Sequence, residues 1–258
     1  MNGLVIKKNS DKFSVLVGEK VQIFSARNLK DVGIFVGDKV EVDENAISKV
    51  KERKNLLIRP PLANVDKMII VISKTPKPDF LLVDKLIIFC VVHAITPVLC
   101  VNKSDLGEDF VNFVKENYKK ACKVISCSTV NDEVFEVKKE IYGITTLAGQ
   151  SAVGKSSIIN ALLKENVAVI GDFSKKVERG KQTTRIVELY EIEKGKFLAD
   201  TAGFSKLSEE LLNVDEYELK AYYPEFLKFA EKCKYKSCLH LHDQDCEVIN
   251  AVKSGKIS

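Results

Sequence analysis

The chain has 258 residues and a formal net charge of +4, with 45% hydrophobic and 29% charged residues, which is the composition of an ordinary soluble globular protein. The most apolar stretch, 86–101, is interrupted by His93 and Pro97, so no run of eighteen apolar residues occurs and a membrane span is excluded. The N-terminus has no signal-peptide pattern, and we therefore expect a cytoplasmic protein with no membrane partner.

The first 62 residues predict a small β-barrel. Their short apolar stretches, separated by clusters of Asn, Asp, Gly and Lys, are 4–6, 13–17, 21–24, 34–36 and 40–42. This segment holds 12 Lys and Arg against 8 Asp and Glu, an excess that favours a polyanionic partner, although a solvated lysine-rich surface explains it equally well. Pro60-Pro61 then indicates a domain boundary.

From about residue 65, predicted strands alternate with predicted helices. The strands are expected at 68–72, 96–101, 123–126 and 143–148, and the helices at 80–94, 108–120 and 132–141. This alternation predicts an α/β fold with a mostly parallel sheet, in which ligands bind at the carboxyl ends of the strands. After about residue 206 the sequence becomes helical and polar.

The tetrapeptide Asn102-Lys103-Ser104-Asp105 follows directly on a predicted strand. A carboxylate at Asp105 can accept hydrogen bonds from the N1–H and 2-amino groups of guanine, and adenine has neither donor there. Lys103 can lie along the base and Asn102 can brace the loop. A polar turn that caps the next helix through Asp105 is the alternative. Residues 126–128 (Ser-Cys-Ser) end another strand and can place a backbone N–H near the base oxygen.

A phosphate-binding loop is predicted between the apolar run 144–148 and the helix-like run 157–163. Its residues fit the pattern G-x-x-x-x-G-K-[ST]: Gly149, Gln150, Ser151, Ala152, Val153, Gly154, Lys155 and Ser156, with Ser157 next. Lys155 would neutralise phosphate charge, and the Ser156 hydroxyl would ligate Mg²⁺. The loop alone does not distinguish GTP from ATP, and a glycine turn before an ordinary helix is the alternative. Together with the tetrapeptide it predicts GTP or GDP with Mg²⁺.

Two later segments predict a nucleotide-dependent switch. Asp200-Thr201-Ala202-Gly203 follows the apolar run 197–199, so Asp200 can hold Mg²⁺ through water and the Gly203 N–H can meet the γ-phosphate. The polar segment 179–185 is expected to be a mobile loop. Thr184, or its neighbour Thr183, would bind Mg²⁺ there only when the γ-phosphate is present.

The last motif is Cys233-x4-Cys238-x-His240-x5-Cys246, whose three thiolates and one imidazole form a closed tetrahedral set for one structural Zn²⁺. His242 lies two residues further and is an alternative ligand, and a disulfide among the cysteines is the other alternative. The remaining cysteines lie in or beside apolar runs and are expected to be small core residues: Cys90, Cys100, Cys122 and Cys127.

The order of the motifs is informative. Ordinary small GTPases place the phosphate loop first, whereas this chain places Asn102-Lys103-Ser104-Asp105 before it. This permuted order, with a β-rich segment before it and a Cys/His cluster after it, closely resembles the ribosome-small-subunit-dependent GTPase A family of bacteria. The resemblance implies an OB-fold-like RNA-binding barrel (1–62), a circularly permuted GTPase domain (63–205) and a helical zinc domain (206–258).

The resemblance further implies a role in late maturation of the small ribosomal subunit, with GTP hydrolysis stimulated by that subunit and with rRNA contacts from the barrel and the zinc domain. We expect a monomer. The family spacing favours His240 over His242 as the zinc ligand. Rival interpretations are a different translation or signalling GTPase, and an RNA-binding module that holds guanine nucleotide with little catalysis.

The catalytic residues follow from a departure from the family pattern. Phe204 stands where many small GTPases place a water-orienting glutamine, and the family is similar in having a hydrophobic residue there. The family's switch loop commonly reads G-R-H-T-T, whereas Gln182 replaces the histidine in this chain. Glutamine can orient water but cannot act as a base. We predict that Gln182 or a ribosomal group positions water, beside Lys155 and Thr184; a solvated loop residue is the alternative for Gln182.

Overall fold

The computed structural model describes residues 1–27, 33–44, 46–131, 133–167, 187–200 and 214–257. Its strands are β1 (Asn2–Asn9), β2 (Lys12–Val17), β3 (Lys20–Ala26), β4 (Lys39–Asp43), β5 (Ala46–Val50), β6 (Leu56–Ile58), β7 (Pro61–Ala63), β8 (Lys67–Ser73), β9 (Thr96–Asn102), β10 (Lys123–Ser126), β11 (Ile144–Ala148), β12 (Glu188–Glu193) and β13 (Lys196–Asp200). Its α-helices are α1 (Phe80–Val92), α2 (Glu108–Tyr118), α3 (Phe135–Glu140), α4 (Lys155–Val167), α5 (Glu216–Leu219), α6 (Pro224–Ala230) and α7 (Glu247–Lys253).

The N-terminal strands form the predicted barrel. The order β1-β2-β3-β5-β4 closes because β1 also pairs with β4. The apolar side chains of alternate strand positions fill the interior together with one residue before β4: Val5, Phe13, Val15, Phe24, Ile34, Val40, Val42 and Ile47. Barrel closure leaves β1 with partners on both sides.

One predicted barrel strand is wrong. In place of a strand at 34–36, Val36 makes only an isolated bridge to Leu62, and β5, which the sequence analysis missed, completes the barrel. The reason is Asp38, whose fully buried carboxylate accepts a hydrogen bond from the Phe35 N–H at 2.8 Å and pairs with Arg53 at 2.7 Å. These bonds turn the segment back on itself, so it cannot extend.

The second part of the sheet is the predicted α/β unit. Strands β10-β9-β8-β11-β13 run parallel, and β12 follows antiparallel to β13. β8 shows why both faces are covered: Met68, Ile70 and Ile72 join the core shared with α1 and α2, whereas Ile69 and Val71 join the core shared with α3 and α4. Such a run, apolar on both faces, is typical of a parallel strand between helical layers. Predicted helix 132–141 is shorter in the structure, since α3 begins at Phe135.

The barrel and the α/β unit share one eleven-stranded sheet, because β1 pairs antiparallel with β12 through Lys7 and Glu188. The hairpin of β6 and β7 contains Pro60-Pro61 and spans the expected boundary at residue 62. The division of the chain into three domains stays a prediction.

Within residues 214–257, the structure has three short α-helices and one 3-10 helix (Lys220–Tyr222) beside the cysteine motif. Tyr223, before α6, packs against the core of α1 and α2 together with Val214. Tyr118 on α2 donates a hydrogen bond to Asp84 on α1 at 2.9 Å beneath this contact. None of the helices in the described ranges combines the length and the apolar character that a membrane crossing requires.

Candidate functional site

Among the residues that the structure describes, the predicted nucleotide-binding motifs lie at one edge of the sheet. Strands β9, β11 and β13 are parallel, and their carboxyl ends are Asn102, Ala148 and Asp200. The tetrapeptide continues from β9, and the phosphate loop continues from β11. Because carboxyl ends of parallel strands meet at the same edge, the sheet itself brings the separated motifs together.

Asn102 fastens the two main motifs to each other. Its side chain, 1% exposed, donates from Nδ2 to the Val153 carbonyl at 2.8 Å, although the two residues are 51 positions apart. Gly154 adjoins this contact, and a Cβ there would lie 2.2 Å from the same Nδ2. Only glycine therefore allows the phosphate loop to approach the Asn102 amide so closely.

Lys103 makes a second bridge between the motifs. Its backbone is left-handed (φ 58°), and its Nζ donates to the Ala152 carbonyl at 3.2 Å and to the Thr75 carbonyl at 2.7 Å. The lysine stem therefore runs across the end of the phosphate loop, where it can support a purine base. The predicted juxtaposition of the tetrapeptide and the loop is present in the structure.

The carboxylate of Asp105 is oriented by the loop after β10. Ser128 is fully buried, and its hydroxyl donates to Asp105 Oδ1 at 2.6 Å. The backbone N–H of Ser104 donates to the Cys127 carbonyl at 3.1 Å, which joins the two loops a second time. An exposed carboxylate held in this way can accept the paired N–H donors of a guanine edge.

Cys127 has a contact that the sequence reasoning missed. Its thiol is 1% exposed and donates to Asn102 Oδ1 at 3.3 Å, while Cys100 Sγ lies 3.4 Å from Cys127 Sγ. The expectation that Cys127 is a small core residue is correct for its burial but incomplete for its chemistry. An apolar run of sequence carries no signal for this bond, because it depends on how β9 and β10 align.

The phosphate loop adopts a wrapped backbone conformation. Gly149 has φ +126°, and a Cβ there would lie 2.2 Å from the Val71 carbonyl oxygen. Lys155 Nζ donates to the carbonyl oxygens of Gly149 at 2.7 Å and Gln150 at 2.6 Å. Burial lowers the pKa of Lys155, so an anion beside it would stabilise its charged form.

Helix α4 begins at this loop, and the Ile158 N–H already bonds to the Gly154 carbonyl at 3.0 Å. The N-terminus of a thirteen-residue helix therefore follows the loop and favours anions. Gln150 has a further role, since its side chain accepts from the Asp79 N–H at 3.1 Å and donates to the Lys77 carbonyl at 3.0 Å. It ties the loop to the segment before α1.

Two of the three predicted Mg²⁺ ligands lie in described parts of the chain. Ser156 is the second residue of α4, and Asp200 is the last residue of β13. A hydroxyl and a carboxylate are hard oxygen donors that fit Mg²⁺ beside a phosphate loop. The third ligand, Thr184, lies outside the described residues, as do Thr183, Gln182, Gly203 and Phe204.

The cysteine motif closes into a compact cluster. The ligand atoms of Cys233, Cys238, His240 and Cys246 all lie within 4.8 Å of one another. Cys233 Sγ is 3.9 Å from Cys246 Sγ, and His240 Nδ1 is 3.7 Å and 3.4 Å from those sulfurs. A tetrahedral Zn²⁺ with Zn–S bonds of about 2.3 Å has ligand spacings of about 3.5–3.8 Å. These three distances lie close to that range, and three thiols with one imidazole are donors that suit this metal.

The choice between the two histidines also follows from the geometry. His240 Nδ1 faces the sulfurs, whereas His242 is exposed and is not part of the cluster. Burial lowers the pKa of His240, which keeps the imidazole neutral, the form that ligates a metal. The cysteines have no disulfide between them among the described residues.

Comparisons with known proteins agree with this geometry. The sequence model of the RsgA GTPase family matches residues 50–210. A protein of Ruminiclostridium cellulolyticum named "Small ribosomal subunit biogenesis GTPase RsgA" is 42% identical over 215 residues, covering 82% of this chain and 70% of its own. A protein of the same name from a Geobacillus species is 39% identical over 272 residues, covering 99% of this chain and 92% of its own.

Two solved structures resemble the whole chain. YjeQ from Thermotoga maritima has a TM-score of 0.78 and 29% identity, covering 100% of this chain and 92% of its own. A structure described as "YloQ, a circularly permuted GTPase" has a TM-score of 0.76 and 29% identity, covering 100% and 89%. The predicted fold, a permuted α/β domain between a barrel and a Cys/His segment, is confirmed.

Proposed function

The chain belongs to the RsgA GTPase family, and we propose that it hydrolyses GTP during the late maturation of the small ribosomal subunit and that this subunit stimulates its GTP turnover. The observation that carries this proposal is the bond from Asn102 to the Val153 carbonyl. It joins the guanine-reading tetrapeptide to the phosphate loop, and a pocket for both ends of one guanine nucleotide requires that junction.

The nucleotide would lie across this junction. Asp105 would accept from the guanine edge, Lys103 would lie along the base, and Asn102 would hold the two loops in register. Lys155 would leave the loop carbonyls and donate to the β- and γ-phosphates. The backbone N–H groups around the phosphates would come from 149–157, and the γ-phosphate would also meet the N–H of Gly203.

Hydrolysis requires an aligned water molecule and a held metal. Ser156, Thr184 and Asp200 would hold Mg²⁺, and this cation would neutralise part of the negative charge on the phosphates. Gln182 would orient the water, directly or together with a ribosomal group. Because glutamine cannot take a proton at neutral pH, turnover without the subunit should be slow.

The barrel and the C-terminal segment, which flank the GTPase unit, would bind the small ribosomal subunit. The basic barrel and the C-terminal segment would contact rRNA, and Cys233, Cys238, His240 and Cys246 would hold one structural Zn²⁺. That metal would supply folding free energy to the C-terminal segment and take no part in hydrolysis. We propose that the protein acts in the cytoplasm as a monomer.

The main test measures GTP turnover by the full chain with and without purified small ribosomal subunits. A rise in turnover of tenfold or more that requires the subunit supports the proposal. Turnover that the subunit leaves unchanged, in a protein that still binds GTP, rejects the ribosomal role. Tight GTP binding with no turnover under either condition favours the RNA-binding module instead.

A second test addresses the base. In the variant Asp105→Asn, the amide replaces one acceptor by a donor, so the guanine 2-amino group loses its partner while the 2-oxo group of xanthine gains one. We expect at least about tenfold weaker GTP binding and improved xanthosine triphosphate binding. Asp109→Asn, an exposed acidic position in the first turn of α2, is the matched control and should bind GTP normally. Equal affinity of Asp105→Asn for GTP would reject this pocket.

A further inference from the structure

Three charged residues lie side by side across the junction of the barrel and the α/β unit. In the strand pairing, Lys7 of β1 lies opposite Glu188 of β12, and Glu188 lies opposite Asp200 of β13. Directly paired residues of antiparallel strands project to the same face. Glu188 therefore lies between Lys7 of the barrel and Asp200, whose carboxylate is the proposed Mg²⁺ ligand.

The contact between the barrel and this glutamate is specific. Lys7 Nζ lies 3.0 Å and 3.1 Å from the two carboxylate oxygens of Glu188, and both side chains are only about one-fifth exposed. Ion pairs screened from water in this way keep more of their interaction than fully exposed pairs do.

Tyr190 shows that the carboxylates share one environment. It lies two residues after Glu188, hence on the same face of β12, and its hydroxyl donates to Glu188 at 3.3 Å. Burial, and then the negative charges of Glu188 and Asp200, raise the pKa of Tyr190. The same face carries α4, the helix with Ser156, because Tyr190, Leu198 and the α4 residue Ile158 belong to one apolar core.

We infer that Lys7 and Glu188 are positioning residues of the magnesium site, through which the N-terminal barrel sets the electric field at Asp200. This inference rests on the proposed function, since it requires Mg²⁺ at Asp200. The Glu188 carboxylate attracts the cation, and the Lys7 ammonium offsets that attraction. The two charges have opposite signs, so their effects on the cation oppose each other.

The inference predicts opposite signs for two single variants. Lys7→Met keeps the apolar stem and removes a positive charge, so Mg²⁺ should bind more tightly. Glu188→Gln removes a negative charge, so Mg²⁺ should bind more weakly. Each shift should be at least about threefold, the size expected for one unit charge near a divalent ion even at a dielectric constant close to that of water. The double variant should return to within about twofold of the original protein.

The measurement is the Mg²⁺ concentration that half-saturates the binding of a fluorescent, non-hydrolysable GTP analogue to the full chain. A purely structural role of the ion pair predicts a different result, because both single variants would loosen the same contact and shift Mg²⁺ binding in the same direction. Thermal unfolding of each variant, followed in parallel, shows whether the fold is retained.

The antiparallel strands β12 and β13 form a hairpin, and the turn of this hairpin offers a matched control. Lys194 Nζ lies 2.7 Å from the Glu19 carboxylate, so a second ion pair joins the hairpin to the barrel, but both side chains are more than four-fifths exposed. Lys194 is six residues from Glu188, about 20 Å along an extended strand. Glu19→Gln and Lys194→Met should leave the Mg²⁺ dependence unchanged.

The outcomes separate the two proposals. If the original protein does not bind the analogue, the proposed nucleotide site fails and the inference fails with it. If it binds the analogue without any dependence on Mg²⁺, the nucleotide site stands, but the proposed Mg²⁺ site and the inference both fail. If binding depends on Mg²⁺ but Lys7→Met and Glu188→Gln shift it in the same direction or not at all, only the inference is overturned. Opposite shifts with a restored double variant support it.

Discussion

The nucleotide pocket and the Cys3His cluster are built in different ways. The pocket lies at the ends of strands whose side chains are buried on both faces, and its loops are joined to each other by bonds of Asn102, Lys103 and Ser128. The cluster has a core in which two of its own cysteines and Val248 are the buried members, with partly buried neighbours such as Phe226. The comparison indicates that the sheet pre-organises the pocket, whereas the cluster would depend on the Zn²⁺ proposed for it.

Removing the metal should produce the largest effect. A structural Zn²⁺ contributes about 10–16 kcal/mol of apparent binding free energy, far more than a core of this size provides. We expect His240→Ala to lose its zinc and residues 214–257 to become sensitive to proteases, while GDP still binds. Zinc content and limited proteolysis are the measurements.

The neighbouring histidine provides the control for this experiment. His242→Ala changes an exposed side chain outside the cluster and should retain one zinc and the original protease pattern. A His240→Ala protein whose C-terminal segment stays resistant after chelation would break the comparison, because the segment would then be stable without a metal.

Removing the hydrogen bond from Asn102 to the Val153 carbonyl should have an intermediate effect on the protein. Asn102→Ala leaves the buried Val153 carbonyl and the Cys127 thiol without their shared partner, which costs about 1–3 kcal/mol. GDP affinity should fall about fivefold to 150-fold, measured by titration with a fluorescent GDP. Asn117→Ala is the matched control, since that amide also donates to a backbone carbonyl but is exposed. Unchanged affinity in Asn102→Ala would mean that the pocket is not held by this bond.

The smallest effect is expected at Cys127. A thiol is a weak donor, so Cys127→Ala should lower GDP affinity only about twofold to tenfold, by releasing the Asn102 amide. Cys127→Ser keeps a donor at the same position and should restore most of the loss. If Cys127→Ser and Cys127→Ala have the same GDP affinity, the thiol contributes only its volume. The hydrogen bond from Cys127 to Asn102 would then not help to order the pocket.

The sequence predicted what local patterns determine. The continuous apolar run Met68–Ile72 predicted a strand, which the structure has as β8, and the spacing of the cysteines predicted a cluster, which the structure also has. The glycines 149 and 154 predicted a turn before a helix, and α4 follows them. It missed β12, since Glu188–Glu193 carries three glutamates in six residues and has no continuous apolar run. It left His240 and His242 open before the family resemblance was considered, since spacing alone does not show which ring the chain turns towards the sulfurs.

The remaining features depend on strand register between distant segments. No pattern within β1 or β12 indicates that Lys7 faces Glu188, and none within β10 indicates that the Cys127 thiol reaches Asn102. Such contacts arise only when two elements far apart in the chain align, and a shift of one residue would turn each side chain to the opposite face.

The pairing of β1 with β12 also affects how much of an edge strand the protein exposes to solvent. β12 lies at the end of the α/β sheet, and an uncovered edge strand offers a row of N–H and C=O groups on which another chain can grow. The barrel strand β1 pairs with this edge at one position, Lys7 opposite Glu188. The N-terminal segment therefore covers one end of β12, and a fragment that lacked it would expose the whole of that edge.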